Sequence, residues 1–289
     1  MIKFARITSR LVAGGATAAL ASAGLVGLTG TAANAAVVTS TYTCTPAIGS
    51  PFTATVGVDI ALPATGVAGL PVPAGLLSFN STFKVSNATA TGLNSAGVTG
   101  GKSDDFGAAF GDILAKAPVV WNTSSADATD TTFTGKGANV AFLLPKAGTY
   151  TATMPTKFNL QGTNSSGATV ATVPCASTAP ASIGTITLSK QLVTIKAKAT
   201  PASAKKGAVV TVKGKIKNEY VKTGGPEVTG KVIIKDGKKK VGTGKIKKGK
   251  FTVKLKGLAV GSHVLTVSYK GDDYTDKGVS KELKVNVKA

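Results

Sequence analysis

Apolar and polar residues alternate with a period of two through most of the chain. Phe52, Ala54, Val56, Val58 and Ile60 alternate with Thr53, Thr55, Gly57 and Asp59. That spacing puts one face of a strand on a core and the other in water. Residues 79–85, 140–144, 149–153 and 169–173 are further strand candidates, punctuated by Gly, Pro and Asn. One stretch breaks the period. Ser103 is placed to N-cap a short helix with Asp104 and Asp105 in its first turn, and Phe106, Phe110, Ile113 and Leu114 would form its apolar face. Pro118 would follow its end, while Gly107 and Gly111 weaken the pattern.

The last hundred residues carry seven strand-like runs, over 192–200, 208–217, 230–235, 240–246, 250–256, 262–270 and 279–288. Asp236-Gly237 marks a tight hairpin between the third and fourth. Seven short strands in this length suit an immunoglobulin-like sandwich. Alternation assigns the faces. Val210, Val212 and Ile216 oppose Thr211, Lys213, Lys215 and Lys217; Phe251, Val253 and Leu255 oppose Lys250, Thr252, Lys254 and Lys256. In the sixth strand Leu265, Val267 and Tyr269 point inward, and Val264, Thr266 and Ser268 outward. The fold class expected for the chain is therefore all-β, with two sandwich-like domains.

Charge divides the chain at the same place. Residues 36–189 hold six Lys and six Asp, whereas residues 190–289 hold 25 Lys against seven acids, a net of +18 out of +21 for the whole sequence. The Ala/Ser/Thr/Pro stretch between the two regions reads as a linker. The organisation expected is a leader over 1–35, a neutral β-rich domain over 36–176, a linker over 177–190 and a Lys-rich domain over 191–289. The leader has a positive start (Lys3, Arg6, Arg10), an uncharged Ala/Gly/Leu/Val run and the small pair Ala33 and Ala35, so cleavage is expected after Ala35. With no later apolar run, the mature chain is expected to be secreted or held at the cell surface. Cys44 and Cys175 are the two cysteines and bracket the neutral domain. In an exported protein they are expected to form one disulfide.

Two resemblances follow from these motifs. Gly230-Lys-Val-Ile-Ile-Lys-Asp-Gly237, Val241-Gly-Thr243, Leu258-Ala-Val-Gly-Ser-His263, Leu265-Thr266, Tyr269-Lys-Gly-Asp272 and Tyr274 are similar to bacterial immunoglobulin-like repeat domains. This resemblance implies the sandwich fold and a place in surface or secreted proteins. It departs from the family in its Lys density, since such repeats carry Thr and Ser outward. Tyr42-Thr-Cys44, Leu62-Pro63, Pro145-Lys-Ala-Gly-Thr-Tyr150 and Val173-Pro-Cys175 resemble a secreted actinobacterial domain family of unknown function, which implies no activity.

Candidate chemistry is sparse. One His and two Cys exclude a zinc finger, an iron–sulfur site and a His-rich metal centre. His263 reads either as a general base or as a structural residue at a sandwich end, and no nucleophile motif accompanies it. Asp104, Asp105 and Asp112, and the loop with Asp272, Asp273 and Asp276, fall short of a calcium pattern. No cofactor, metal or enzymatic activity is expected.

The lysines remain to be explained, either by solubility or by binding. The mature region lacks Arg and is poor in aromatics, which argues against base-specific nucleic-acid readout. If strands one, two and five are neighbours, Lys196, Lys198, Lys213, Lys215, Lys217, Lys250, Lys254 and Lys256 share one outer face. The expectation is a non-enzymatic surface, structural or adhesive protein whose Lys-rich module attaches to an anionic cell-wall polymer or acidic polysaccharide. The alternatives are a carbohydrate- or polymer-binding site in the neutral domain and a plain spacer.

Overall fold

The computed structural model of the protein describes residues 37–289, so the expected leader lies outside the described residues. Strands β1 (Val38–Cys44) and β2 (Phe52–Asp59) precede the short β3 (Thr65–Val67) and β4 (Pro71–Val72). Next come β5 (Ser78–Ser86), helix α1 (Asn87–Ser95), β6 (Gly100–Ser103), β7 (Gly107–Phe110), β8 (Ile113–Lys116), β9 (Val119–Ala126) and β10 (Asp130–Ala138). Five more complete this half: β11 (Phe142–Leu143), β12 (Gly148–Thr153), β13 (Lys157–Thr163), β14 (Thr169–Ala176) and β15 (Ser182–Ser189).

The half expected as sandwich-like closes on itself. Eight strands run in the ring order β1-β14-β13-β6-β9-β10-β5-β2. Their inward residues fill the barrel with Tyr42, Phe79, Phe83, Phe106, Trp121, Phe133 and Phe158. Tyr42 and Phe106 meet Phe158 edge-on, with ring centroids 5.0 and 5.3 Å apart. The polar tips of the large rings are satisfied: Trp121 Nε1 donates to Ser81 Oγ at 3.1 Å and Tyr42 Oη to the Pro155 carbonyl at 2.7 Å. The ring is thinnest between β1 and β14, which share only the pairs Thr43–Ala176 and Cys44–Cys175. The disulfide sits there, joining directly opposed cysteines whose Cα atoms are 4.0 Å apart.

Two local expectations change. Residues 103–118 are not helical. Ser103 Oγ does accept from the Phe106 amide at 3.1 Å, but it caps a turn, and the chain then forms the β7–β8 hairpin. Gly111 turns that hairpin at φ +59°, and the Cβ of any other residue at Gly107 would lie 2.3 Å from the Ala115 carbonyl oxygen. The glycines that weaken a helix are the ones this hairpin requires. The helix of this half is α1 instead, N-capped by Ser86, whose Oγ accepts from Thr89 N.

The second change concerns residues 177–190, expected as a linker. Residues 182–189 form β15, antiparallel to β12 and parallel to β3, in a sheet ordered β3-β15-β12-β7-β8. Ile186 and Leu188 bury themselves in that sheet's own small core. The small residues hid an alternating Ile-Gly-Thr-Ile-Thr-Leu pattern.

The C-terminal half holds β16 (Val193–Thr200), β17 (Ser203–Lys205), β18 (Val210–Asn218), β19 (Lys231–Asp236) and β20 (Lys239–Lys245). After these come β21 (Lys250–Leu255), β22 (Gly261–Tyr269), β23 (Gly278–Val279) and β24 (Leu283–Lys288). They make two sheets, β16-β18-β21 and β17-β24-β22-β19-β20, with β23 paired to β22. Val210, Val212, Ile216, Phe251, Val253 and Leu255 from the first pack on Val232, Ile234, Leu265, Val267, Tyr269 and Val285 from the second. All seven expected strands are present.

The halves touch through a small joint. Buried Gln191 donates from Nε2 to the Ala68 carbonyl at 2.6 Å, and its main chain bridges the Tyr274 carbonyl and the Asp276 amide. The Ala147 amide donates to the Asp273 carbonyl at 3.0 Å, and Tyr274 packs against the small core of the N-terminal half.

Candidate functional site

The sheet β16-β18-β21 brings seven of the eight candidate lysines onto one face, and Lys256 lies just past its end. Its register sets them in rows. Lys196, Lys215 and Lys250 stand opposite one another across the three strands, Lys198 stands opposite Lys213, Lys217 opposite Thr194, and Lys254 opposite Thr211. Lys256 follows one step beyond Lys254, past the end of β21. Four successive rows therefore each carry at least one lysine, with three in one row and two in the next, and Lys256 continues the series beyond the last of them. All eight side chains are exposed, while the residues between them, such as Val212, Ile216 and Val253, are buried. Strands lie about 4.8 Å apart, so the opposed lysines repel and cost the sheet some stability.

The protein does not neutralise them. Among the described residues the ion pairs are Lys84–Asp130 and His263–Asp236, both away from this face. Between the lysines runs a shallow groove of about 610 Å³, lined by Lys196, Lys198, Lys213, Lys215, Lys217 and Lys250 around Ala197 and Gly214. Gly214 is required here. A Cβ would lie 2.4 Å from Phe251 Cζ and 2.6 Å from the Lys196 carbonyl oxygen. At its Lys217 end the groove adjoins a smaller depression that includes Lys248 and Glu227. Lys248 escaped the alternation argument because it lies in the turn before β21, at φ +49°.

The face of the other sheet is less uniform. Outward Val264 and Thr266 of its central β22 are flanked by Lys284 on β24 and Lys235 on β19. The lysines of β24 and β19 are thus separated by an uncharged strand face, although Lys231 and Lys235 of β19 stand opposite Lys245 and Lys240 at the β20 edge.

The other candidates have structural duties. His263 Nδ1 is 2.6 Å from Asp236 Oδ2 and Nε2 is 2.8 Å from the Ala259 carbonyl. Both partners only accept, so both ring nitrogens donate and the imidazolium fits the site. The Ala259 carbonyl and then the Asp236 carboxylate hold the His263 pKa above its ordinary value. Asp272 accepts from the amides of Thr229, Tyr274 and Thr275 and from two Thr hydroxyls. Burial works to raise its pKa, but these bonds outweigh burial and hold it below the usual carboxylate range. Asp105 is bound by Ser103 and by the amide and side chain of Asn159, and Asp104 by Gln161. A second groove, of about 520 Å³, lies beside the disulfide and includes Asp105, Asp112, Asn159 and the apolar Ile113 and Leu114. Asp105 and Asn159 there are already bonded to each other.

The comparisons with known proteins meet this geometry at the C-terminal half. Residues 195–288 match the family model of the bacterial Ig-like domain (group 3). The Ig-like domain thus coincides with the two-sheet sandwich that carries the lysines. No curated protein matches the chain. Among solved structures, a Corynebacterium diphtheriae protein described as membrane anchored aligns at 14% identity and TM-score 0.37, over 87% of this chain and 59% of that one. The chain therefore spans about three fifths of that protein's length. Fibronectin(III)-like modules of Clostridium thermocellum CbhA align at 16% identity and TM-score 0.27, over 80% of this chain and 94% of theirs. A titin I-band fragment aligns at 12% identity and TM-score 0.27, over 80% of this chain and 65% of the fragment.

Proposed function

We propose that this is an exported, non-enzymatic surface module whose Ig-like domain docks on an anionic polymer of the cell envelope. One observation carries the reading: seven exposed lysines on three adjacent strands of one sheet, and Lys256 just past its end, with no carboxylate on those strands. Such an array exceeds what solubility needs, because like charges opposed across strands destabilise the sheet that bears them. An anionic partner relieves that repulsion and releases its counterions, so the attraction is strong at low salt and falls as salt rises. Lysine without arginine gives point-charge attraction rather than bidentate readout, which suits a polymer more than a defined small ligand. The Cys44–Cys175 disulfide supports an oxidising destination.

The test is retention of the full chain on purified cell wall across a salt series. Changing Lys213, Lys215, Lys254 and Lys256 to Gln is expected to lower retention at 50 mM salt by at least about tenfold, as four fewer neutralised charges require. The same change at Lys238, Lys239, Lys240 and Lys277 removes equal charge elsewhere and is expected to cost far less. Equal losses from both sets would reduce the effect to net charge. No loss from either would leave the lysines a solubility role.

A further inference from the structure

The proposed docking surface has a direction. Its four lysine rows succeed one another along the strand axis, in the order Lys217, then Lys196/Lys215/Lys250, then Lys198/Lys213, then Lys254, and Lys256 follows past the end of β21. At about 3.4 Å per residue the rows recur every ~7 Å and the four rows span about 20 Å, with Lys256 extending the track beyond them. Across the strands the array is only three positions wide, and the groove runs between the lysines of its first three rows.

We infer that the Lys face of the Ig-like domain is a track for an extended, base-free phosphodiester polymer of polyol units, laid along the strands with about one phosphate per row. This rests on the reading of the face as a polyanion-docking surface. A three-carbon polyol phosphate has six single bonds from one phosphorus to the next, so an extended chain advances about 7 Å per repeat. That matches the row spacing. A polysaccharide with one carboxylate per disaccharide sets its charges more widely and leaves rows unmatched. Nucleic acid single strands have phosphates at a usable spacing, but their binding surfaces combine charge with aromatic stacking platforms. The groove offers none: its one ring, Phe251, is buried in the core.

The experiment titrates the full chain with synthetic glycerol phosphate oligomers of three, five and eight repeats and with inositol hexakisphosphate, a compact anion of six phosphates. Affinity is expected to rise at least about tenfold from three to five repeats and to level off by eight. For five repeats it is expected to fall about 100-fold between 50 and 200 mM salt, since five phosphates on a single-stranded polyanion give a log–log slope of about −3.5. The compact anion, spanning too few rows, is expected to bind no better than three repeats.

The end variant K217Q/K256Q is expected to weaken the five- and eight-repeat oligomers and spare the three-repeat one, while K213Q/K215Q weakens all three. These residues are exposed, and a Tm no lower than that of the wild type checks that the variants fold. A compact anion binding as tightly as five repeats, or end substitutions that weaken all lengths equally, would overturn the track and leave a charged patch. Single-stranded DNA of equal phosphate count binding more tightly than the polyol chain would overturn the base-free assignment. Retention on cell wall without binding of any oligomer would refute the track and keep the docking surface. If neither wall nor oligomer binds, both fall.

Discussion

A single imidazole shows how a residue type rich in catalytic associations is used structurally. The His263 side chain is 10% exposed and ties the first turn of β22 to the β19–β20 hairpin through Asp236. Both ring nitrogens donate, so the charged form is the bonded one. The folded pKa lies above 6.5, its ordinary value. The stabilisation is therefore complete below pH 6.5 and is lost as pH rises through the folded pKa. Hydrogen bonds to a charged group contribute about 1 kcal/mol or more, roughly 4–8 °C in Tm for a domain of this size. The Tm of the wild-type Ig-like domain is expected to fall as pH rises from 6 through the folded pKa of His263. His263→Gln is expected to start lower and stay flat over that range. A variant that keeps the wild-type pH profile would show that the clasp contributes nothing.

At the scale of elements, the barrel depends on its weakest seam. β1 and β14 share two residue pairs, against nine between β5 and β10. The disulfide closes a loop of 131 residues at that seam. On the chain-entropy argument it contributes about 5 kcal/mol, and most of that should be lost in a Cys44→Ala/Cys175→Ala variant. Differential scanning calorimetry is expected to show the barrel transition fall while the Ig-like transition stays in place. A shift of both transitions, or of neither, would contradict the assignment. The Ig-like strands were legible in the sequence because each has one buried face and the alternation is strict: Val210, Val212, Ile216 and the intervening lysines fix which face is buried and which is exposed. So were the sheet neighbours and the lysine face, and the cysteine pair. Barrel closure was not legible, since period-two alternation is the same in an open and a closed sheet. Nor was the β7–β8 hairpin, because a cap-like Ser103 followed by acids serves a turn as well as a helix. The row register was hidden too: alternation assigns faces, but only pairing sets Lys196 against Lys215 and Lys250.

For the whole molecule the question is how the lysine face is carried relative to the barrel. The two halves have separate cores, yet only residues 190–192 lie between β15 and β16, and the joint that holds them is specific. Gly69, at φ +68°, lets Pro226 approach so closely that a Cβ would sit 2.5 Å from it. Asp272 holds the loop that brings Asp273 and Tyr274 to the barrel side, and its pKa lies below the usual carboxylate range. The loop's stability is thus present above pH 3.8 and is lost as pH falls through the lower folded pKa of Asp272. We expect the wild-type chain to scatter X-rays at neutral pH as a body of fixed shape. Gly69→Val is strained at its φ and collides with Pro226, and Gln191→Ala removes the bond to the Ala68 carbonyl. Together they should free the halves without touching either main core. The radius of gyration and maximum dimension should then broaden at unchanged Tm, and protease should cut first near residues 189–192 instead of sparing them. Asp272→Asn should produce the same loosening at neutral pH that wild type shows only in acid. Identical scattering curves for wild type and the double variant would mean that the joint does not fix the geometry. The lysine face would then swing on a hinge, and docking on a polymer would place no constraint on where the barrel points.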